Sequence, residues 1–163
     1  MTVIDVEVRG LRELLQTLRA MPDAYQKRAK FGMMRAATGV LKAEAVLRAP
    51  RYAQQVPHGH PPAGTLKSAI YSTRLTAQCL PSLEVWKVSV RKGKKFQAHM
   101  AGGVATNKDA FYATWVEYGT IKMTPRPFMR PAFEAKKQAA VRAMSTYLTY
   151  VLPQVVEEAK RAA

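Results

Sequence analysis

The sequence predicts an α+β domain, and three observations carry that expectation. Residues 4–8 and 82–91 alternate apolar and polar side chains with the two-residue period of half-buried strands. Residues 23–49 and the stretch from about 131 onward repeat apolar residues every three or four positions, the spacing of one helix face. The strands fall between helices without a regular βαβ alternation. A small, mostly antiparallel sheet against a long helix from the N-terminal half and a C-terminal helix is therefore expected. At 163 residues the chain suits a single domain, residues 1–163, with a real core, and is short for two.

The elements follow in order. Ile4, Val6 and Val8 alternate with Asp5, Glu7 and Arg9, and Gly10 ends that strand. Leu11, Leu14, Leu15 and Leu18 mark a short helix closed by Pro22. Pro22 and Asp23 then signal the start of the long helix. Its expected buried stripe is Ala29, Met33, Ala36, Val40, Ala43 and Leu47, with enough small residues for close packing, and Arg48-Ala49-Pro50 ends it. Residues 51–64, rich in Pro and Gly, read as an exposed loop or arm. Residues 65–70 make one helical turn and 71–76 extend. Residues 82–91 form the clearest strand, with Trp86, Val88 and Val90 on one face and Lys87, Ser89 and Arg91 on the other. Residues 92–109 read as a long exposed loop. The last helix is expected to start near Pro131, because Arg130 precedes a proline and is biased away from helix. Its stripe is Phe133, Ala140, Met144, Leu148, Val151 and Val155, and Pro153 should kink or split it.

Charge narrows the class of partner. Lys and Arg number 26 against 11 Asp and Glu, a net +15 that favours polyanions, chiefly nucleic acid, or an acidic protein surface. The single cysteine, Cys79, excludes an intrachain disulfide and a cysteine-rich metal site, and reads as an inert thiol. The first residues lack the basic and apolar regions of a signal peptide, and no apolar run approaches the ~20 residues of a membrane span. A cytosolic product with no membrane partner is expected.

Catalysis finds little support. His58 and His60 lie in a Pro/Gly loop without Cys or acidic neighbours, a poor metal site. Glu84 is the only acidic residue between Glu44 and Asp109, so no carboxylate pair is suggested, and neither a nucleophile elbow nor a phosphate-cradling glycine loop occurs. No enzyme activity, metal or cofactor is expected. The basic residues Lys87, Arg91, Lys92, Lys94 and Lys95 surround Gly93 at a strand end. They form either a solvated hairpin tip or a sequence-independent, salt-sensitive contact with a phosphate backbone.

The most informative segment runs from Tyr112 to Phe133. It reads Tyr112-Ala113-Thr114-Trp115-Val116-Glu117-Tyr118-Gly119-Thr120, then Pro125-Arg126-Pro127-Phe128-Met129-Arg130-Pro131-Ala132. One carboxylate lies beside a tight turn, where Gly119 is expected at positive φ. Three prolines then pre-set the backbone around Phe128 and Arg130, which lowers the entropy lost on association. This succession resembles the signature of the head–tail joining proteins of long-tailed bacteriophages, also called tail-completion or neck proteins. Upstream, Ala49-Pro50, a variable loop and Gly64-Thr65-Leu66-Lys67-Ser68-Ala69-Ile70 are similar to a second block of that family, with the order of Gly64 and Thr65 reversed.

The resemblance implies a virion structural subunit that forms a ring, in this family a hexamer, between the DNA-filled head and the tail. Its partners would be other copies of itself, the connector or stopper, the tail terminator, the tail tube, and genomic double-stranded DNA in the lumen. It would be assembled in the host bacterial cytoplasm and reside at the head–tail junction. Carried onto this sequence, the candidate interface residues are Tyr112, Val116, Glu117, Tyr118, Gly119, Thr120, Arg126, Pro127, Phe128, Arg130 and Pro131. Glu117 either bridges to Arg126 or Arg130 of a neighbour or caps a nearby turn, and Phe128 belongs either to the interface or to the subunit's own core. Two alternatives stand beside this reading: a tail terminator ring of related build, and a non-specific basic DNA-binding protein.

Overall fold

The structure, a computed structural model, describes residues 16, 19, 23–51, 63–80, 83–93 and 109–162, with backbone alone at 23–24 and 155–162. The expected strand at 4–8, most of the helix at 11–21, the arm at 52–62 and most of the 92–109 loop lie outside the described residues. The elements are α1 (Asp23–Arg48), α2 (Thr65–Ala69), β1 (Ile70–Arg74), a 3-10 turn (Thr76–Gln78), β2 (Trp86–Val90), α3 (Ala113–Tyr118) and α4 (Met129–Ala162). β1 and β2 form a two-stranded antiparallel sheet, in register through the Arg91 N–H to Ala69 carbonyl bond of 3.0 Å. The fold is α+β, as the patterning predicts.

Two compact units divide the chain, one of Met1–Val40, Arg74–Trp86 and Lys136–Ala163, the other of Leu41–Thr73 and Lys87–Ala135. In the first, Ala29, Met33, Leu148 and Val151 form the buried cluster, with Tyr25, Val141, Met144, Tyr147 and Leu152 against it. The Tyr147 ring lies directly on Gly32, where an added Cβ would stand 1.9 Å from the ring. Glu84 receives the Arg74 guanidinium through bonds of 2.8 and 2.5 Å and the Trp86 indole N–H at 3.3 Å. Phe31 meets Trp86 edge-on at 5.2 Å. Cys79 is half-buried in the turn between the strands, its sulfur receiving the Val85 N–H at 3.4 Å.

The Arg74 bonds hold the Glu84 carboxyl below the usual carboxylate range, against burial, which pushes the other way. A depressed folded value means that this stabilisation is complete above the unfolded carboxylate pKa of about 4.3 and is lost as pH falls through the folded value. Arg74→Met is therefore expected to lower the melting temperature at neutral pH, and the gap to the wild type should narrow below about pH 4. A gap constant across that range in thermal melts would contradict the assignment.

The second unit is built on alanine. Its cluster comprises Ala45, Ala49, Leu66, Ala69, Ile70, Ala110, Ala113, Phe128 and Ala132, with Val88, Val90, Tyr112 and Val116 against it. Small side chains let the helix and strand backbones approach, and Phe128, 1% exposed, fills the space they leave.

Several expectations need correction. On α1, Ala36 and Val40 are half-buried and Ala43 and Leu47 exposed, Leu47 at 72%. Burial follows Ala37, Ala45 and Ala49 instead, because the two ends of the helix serve two different clusters and no single stripe fits both. β1 ends at Arg74 and a 3-10 turn follows, while β2 begins only at Trp86 because Leu80 and Leu83 pair in a tight turn. Asp109, expected in an exposed loop, is buried and accepts the Gly93 N–H at 2.8 Å. α4 starts two residues before Pro131, runs unbroken past Pro153, and buries Ala132 rather than Phe133. The expected Val155 contact lies outside the described side chains.

Candidate assembly interface

The segment around Tyr112–Phe133 is held in place by its own polar groups. α3 ends where Gly119, at φ 77°, donates its N–H to the Trp115 carbonyl at 2.8 Å. A Cβ at Gly119 would fall 2.9 Å from both the Met123 carbonyl oxygen and Pro125 Cδ, so the turn needs glycine for space as well as for dihedral. Thr120 and Met123 exchange backbone bonds of 2.9 and 3.1 Å, and the returning chain gives the Arg126 N–H to the Val116 carbonyl at 2.8 Å. The last carbonyls of α3, which a helix end otherwise leaves open, are thereby engaged.

Glu117 then starts the next helix. Its Oε2 accepts the N–H groups of Phe128 and Met129 at 2.8 and 3.0 Å, and its Oε1 accepts that of Arg130 at 3.2 Å. Pro131 has no N–H, and the first intrahelical bond runs from the Ala132 N–H to the Phe128 carbonyl at 3.1 Å. Every donor of the first turn of α4 is thus accounted for, with a carboxylate at the helix's positive end. This cap overrides the pre-proline bias at Arg130 and explains why α4 begins at Met129. Of the two roles open to Glu117, capping is the observed one.

The expected interface residues therefore divide. Phe128 is core, not contact surface. Tyr112 is half-buried against the same cluster, hydrogen-bonded with the Leu66 backbone, and burial pushes its phenol up. Val116 packs inward as well, and Pro131 is half-buried. Tyr118, Thr120, Arg126, Pro127 and Arg130 are exposed. Sequence reasoning missed their apolar neighbours. Phe111, Trp115 and Tyr118 lie at helical spacing on the outer face of α3, and Ile121 and Met123 project from the turn. Trp115 is 51% exposed, Tyr118 71%, and Ile121 entirely. Phe111 and Trp115 meet edge to face at 5.6 Å. The signal was present in the 111/115/118 spacing opposite Ala113 and Val116.

The basic residues are arranged differently from a hairpin tip. Lys87 and Arg91 both lie over the Tyr71 ring, at 5.9 and 4.8 Å. Lys92 is hydrogen-bonded to Thr114. After Val90 no further strand follows among the described residues. The chain turns at Gly93, φ 106°, and the loop is closed by the Gly93–Asp109 bond and by the Ala110 N–H to Arg91 carbonyl bond of 3.0 Å. Lys94 and Lys95 lie outside the described residues. Between β2, α3 and the start of α4 runs an open groove of about 340 Å³, lined by Val88, Ser89, Val90, Lys92, Thr114, Glu117, Tyr118 and Arg130 among others. Glu117, the one carboxylate there, has both oxygens engaged by backbone donors. Among the described residues no cluster of three or more His, Cys, Asp or Glu could hold a metal ion, and no helix is long and apolar enough to cross a membrane. No family model, curated protein or solved structure matches this chain.

Proposed function

We propose that this chain is a virion structural protein of a tailed-bacteriophage neck, a subunit that closes into a ring, joins the DNA-filled head to the tail and lines the DNA passage. The observation that carries the reading is the segment around Tyr112–Phe133, which resembles the signature of that family. Its polar groups hold its own backbone, while Phe111, Trp115, Tyr118, Ile121 and Met123 face outward. Large aromatic and aliphatic groups exposed on a rigid frame are what a contact surface requires, since ordering costs are already met and the buried area is rich in anchor residues. The +15 charge, repeated around a ring, suits DNA passing through the lumen. The contacts are with further copies of this chain and with the connector or stopper, tail terminator and tail tube.

Trp115→Ser combined with Ile121→Ser tests this. Both side chains are exposed, so folding stability should change by no more than about 0.5 kcal/mol. Size-exclusion chromatography with light scattering should show the wild type as an oligomer and the variant shifted towards monomer. A stable wild-type monomer that binds duplex DNA tightly would favour the DNA-binding alternative. Clean cleavage of DNA in the presence of Mg²⁺ would overturn the structural role.

A further inference from the structure

Among the described residues the sheet of the second unit has one partner strand for β2 and a groove along its other edge. Arg91 donates its N–H to the Ala69 carbonyl. By antiparallel alternation Ser89 and Lys87 also bond towards β1, while Val88 and Val90 turn their N–H and C=O groups the other way. The groove is lined by three consecutive residues, Val88, Ser89 and Val90. Successive side chains point to opposite faces, so three in a row means that the backbone edge itself forms this wall. An edge of this kind accepts an added strand.

The two faces of β2 state what that strand must carry. Val88 and Val90 pack on the core, whereas Lys87 and Arg91 flank Tyr71 on the opposite face. A matching strand alternates apolar with acidic residues. Ile4, Asp5, Val6, Glu7 and Val8 have that pattern in a chain with only 11 acidic residues.

We propose that residues 4–8 of a second copy of this chain add as a third strand along the free edge of β2, setting Ile4, Val6 and Val8 beside Val88 and Val90 and Asp5 and Glu7 beside Lys87 and Arg91. The inference rests on the ring reading above. Donor segment and acceptor edge are different patches of the same chain, the head-to-tail arrangement that closes a ring. Opposite charges across neighbouring strands favour the pairing, and they offset the mutual repulsion of subunits that each carry +15. Lys87 and Arg91 then serve subunit contact and not DNA contact.

Charge exchange between copies tests the proposal in the full-length chain. Asp5→Lys with Glu7→Lys disables the donor, and Lys87→Glu with Arg91→Glu disables the acceptor. Each variant alone should associate at least tenfold more weakly than wild type in light scattering. An equimolar mixture should reassemble, because each donor now meets an acceptor of opposite sign on the other chain. Val88→Pro provides an independent block, removing an outward N–H while leaving the β1 ladder intact. Circular dichroism confirms that each variant is folded. A mixture that stays monomeric, or variants that assemble as well as a wild-type oligomer, overturns the strand exchange and leaves the ring standing. A wild-type chain that is monomeric at every concentration removes both.

Discussion

Phe128→Ala is expected to destabilise the protein by about 3–5 kcal/mol, the range for truncating a buried aromatic. The position is 1% exposed and is surrounded mainly by alanines, Ala45, Ala49, Ala69, Ala110, Ala113 and Ala132 among them. Alanine cannot re-orient to fill a cavity, so the space left by the ring stays open and the cost falls toward the upper part of that range. Phe128→Leu, which keeps most of the volume, should cost about 1–1.5 kcal/mol. Urea unfolding followed by circular dichroism reads both values. A Phe128→Ala chain as stable as wild type but unable to assemble would return Phe128 to the interface, where the family resemblance alone had placed it.

Glu117→Ala carries the second large effect, a loss of about 2–3 kcal/mol. The carboxylate accepts three backbone N–H bonds at the start of α4. Losing a helix N-cap costs about 0.5–2 kcal/mol, and an ionised acceptor engaged by several donors lies at the high end. Water can replace the bond at exposed Arg130 more readily than the one at buried Phe128, which keeps the total below the sum of three bonds. Glu117→Gln retains one acceptor oxygen and the side-chain volume, and about half the loss is expected. Arg126→Ala and Arg130→Ala should each change stability by no more than about 0.5 kcal/mol, since both side chains are exposed. If the arginine variants lost as much as Glu117→Ala, an ion pair and not a cap would be the main role of Glu117.

These two residues also mark where the sequence was legible and where it was not. Helix α1, the short turn at Thr65–Ala69, the alternation of β2 and the positive φ of Gly119 are all local properties, set by residues within a few positions of one another, and all appear as expected. The role of Glu117 is not local. Its bonds span 11 to 13 residues and depend on the Gly119 turn and the Thr120–Met123 turn bringing the chain back. No periodicity encodes that return. The same cap moved the start of α4 ahead of Pro131, overriding a genuine local bias. The stripe on α1 failed for a related reason: Leu47 is more hydrophobic than Ala45, yet a core of closely spaced backbones selects the smaller residue. At the candidate interface, aromatic residues at helical spacing read naturally as core. Only the inward Ala113 and Val116 on the opposite face show that Phe111, Trp115 and Tyr118 point away from it.

The segment around Tyr112–Phe133 thus combines a self-satisfied frame with an outward apolar face, and the proposal of a neck subunit stands on that combination together with the family resemblance. Electron microscopy of particles produced when the gene for this chain is deleted from its phage tests it most directly. DNA-filled heads lying beside complete, detached tails are the predicted result. Normal, joined virions would contradict it.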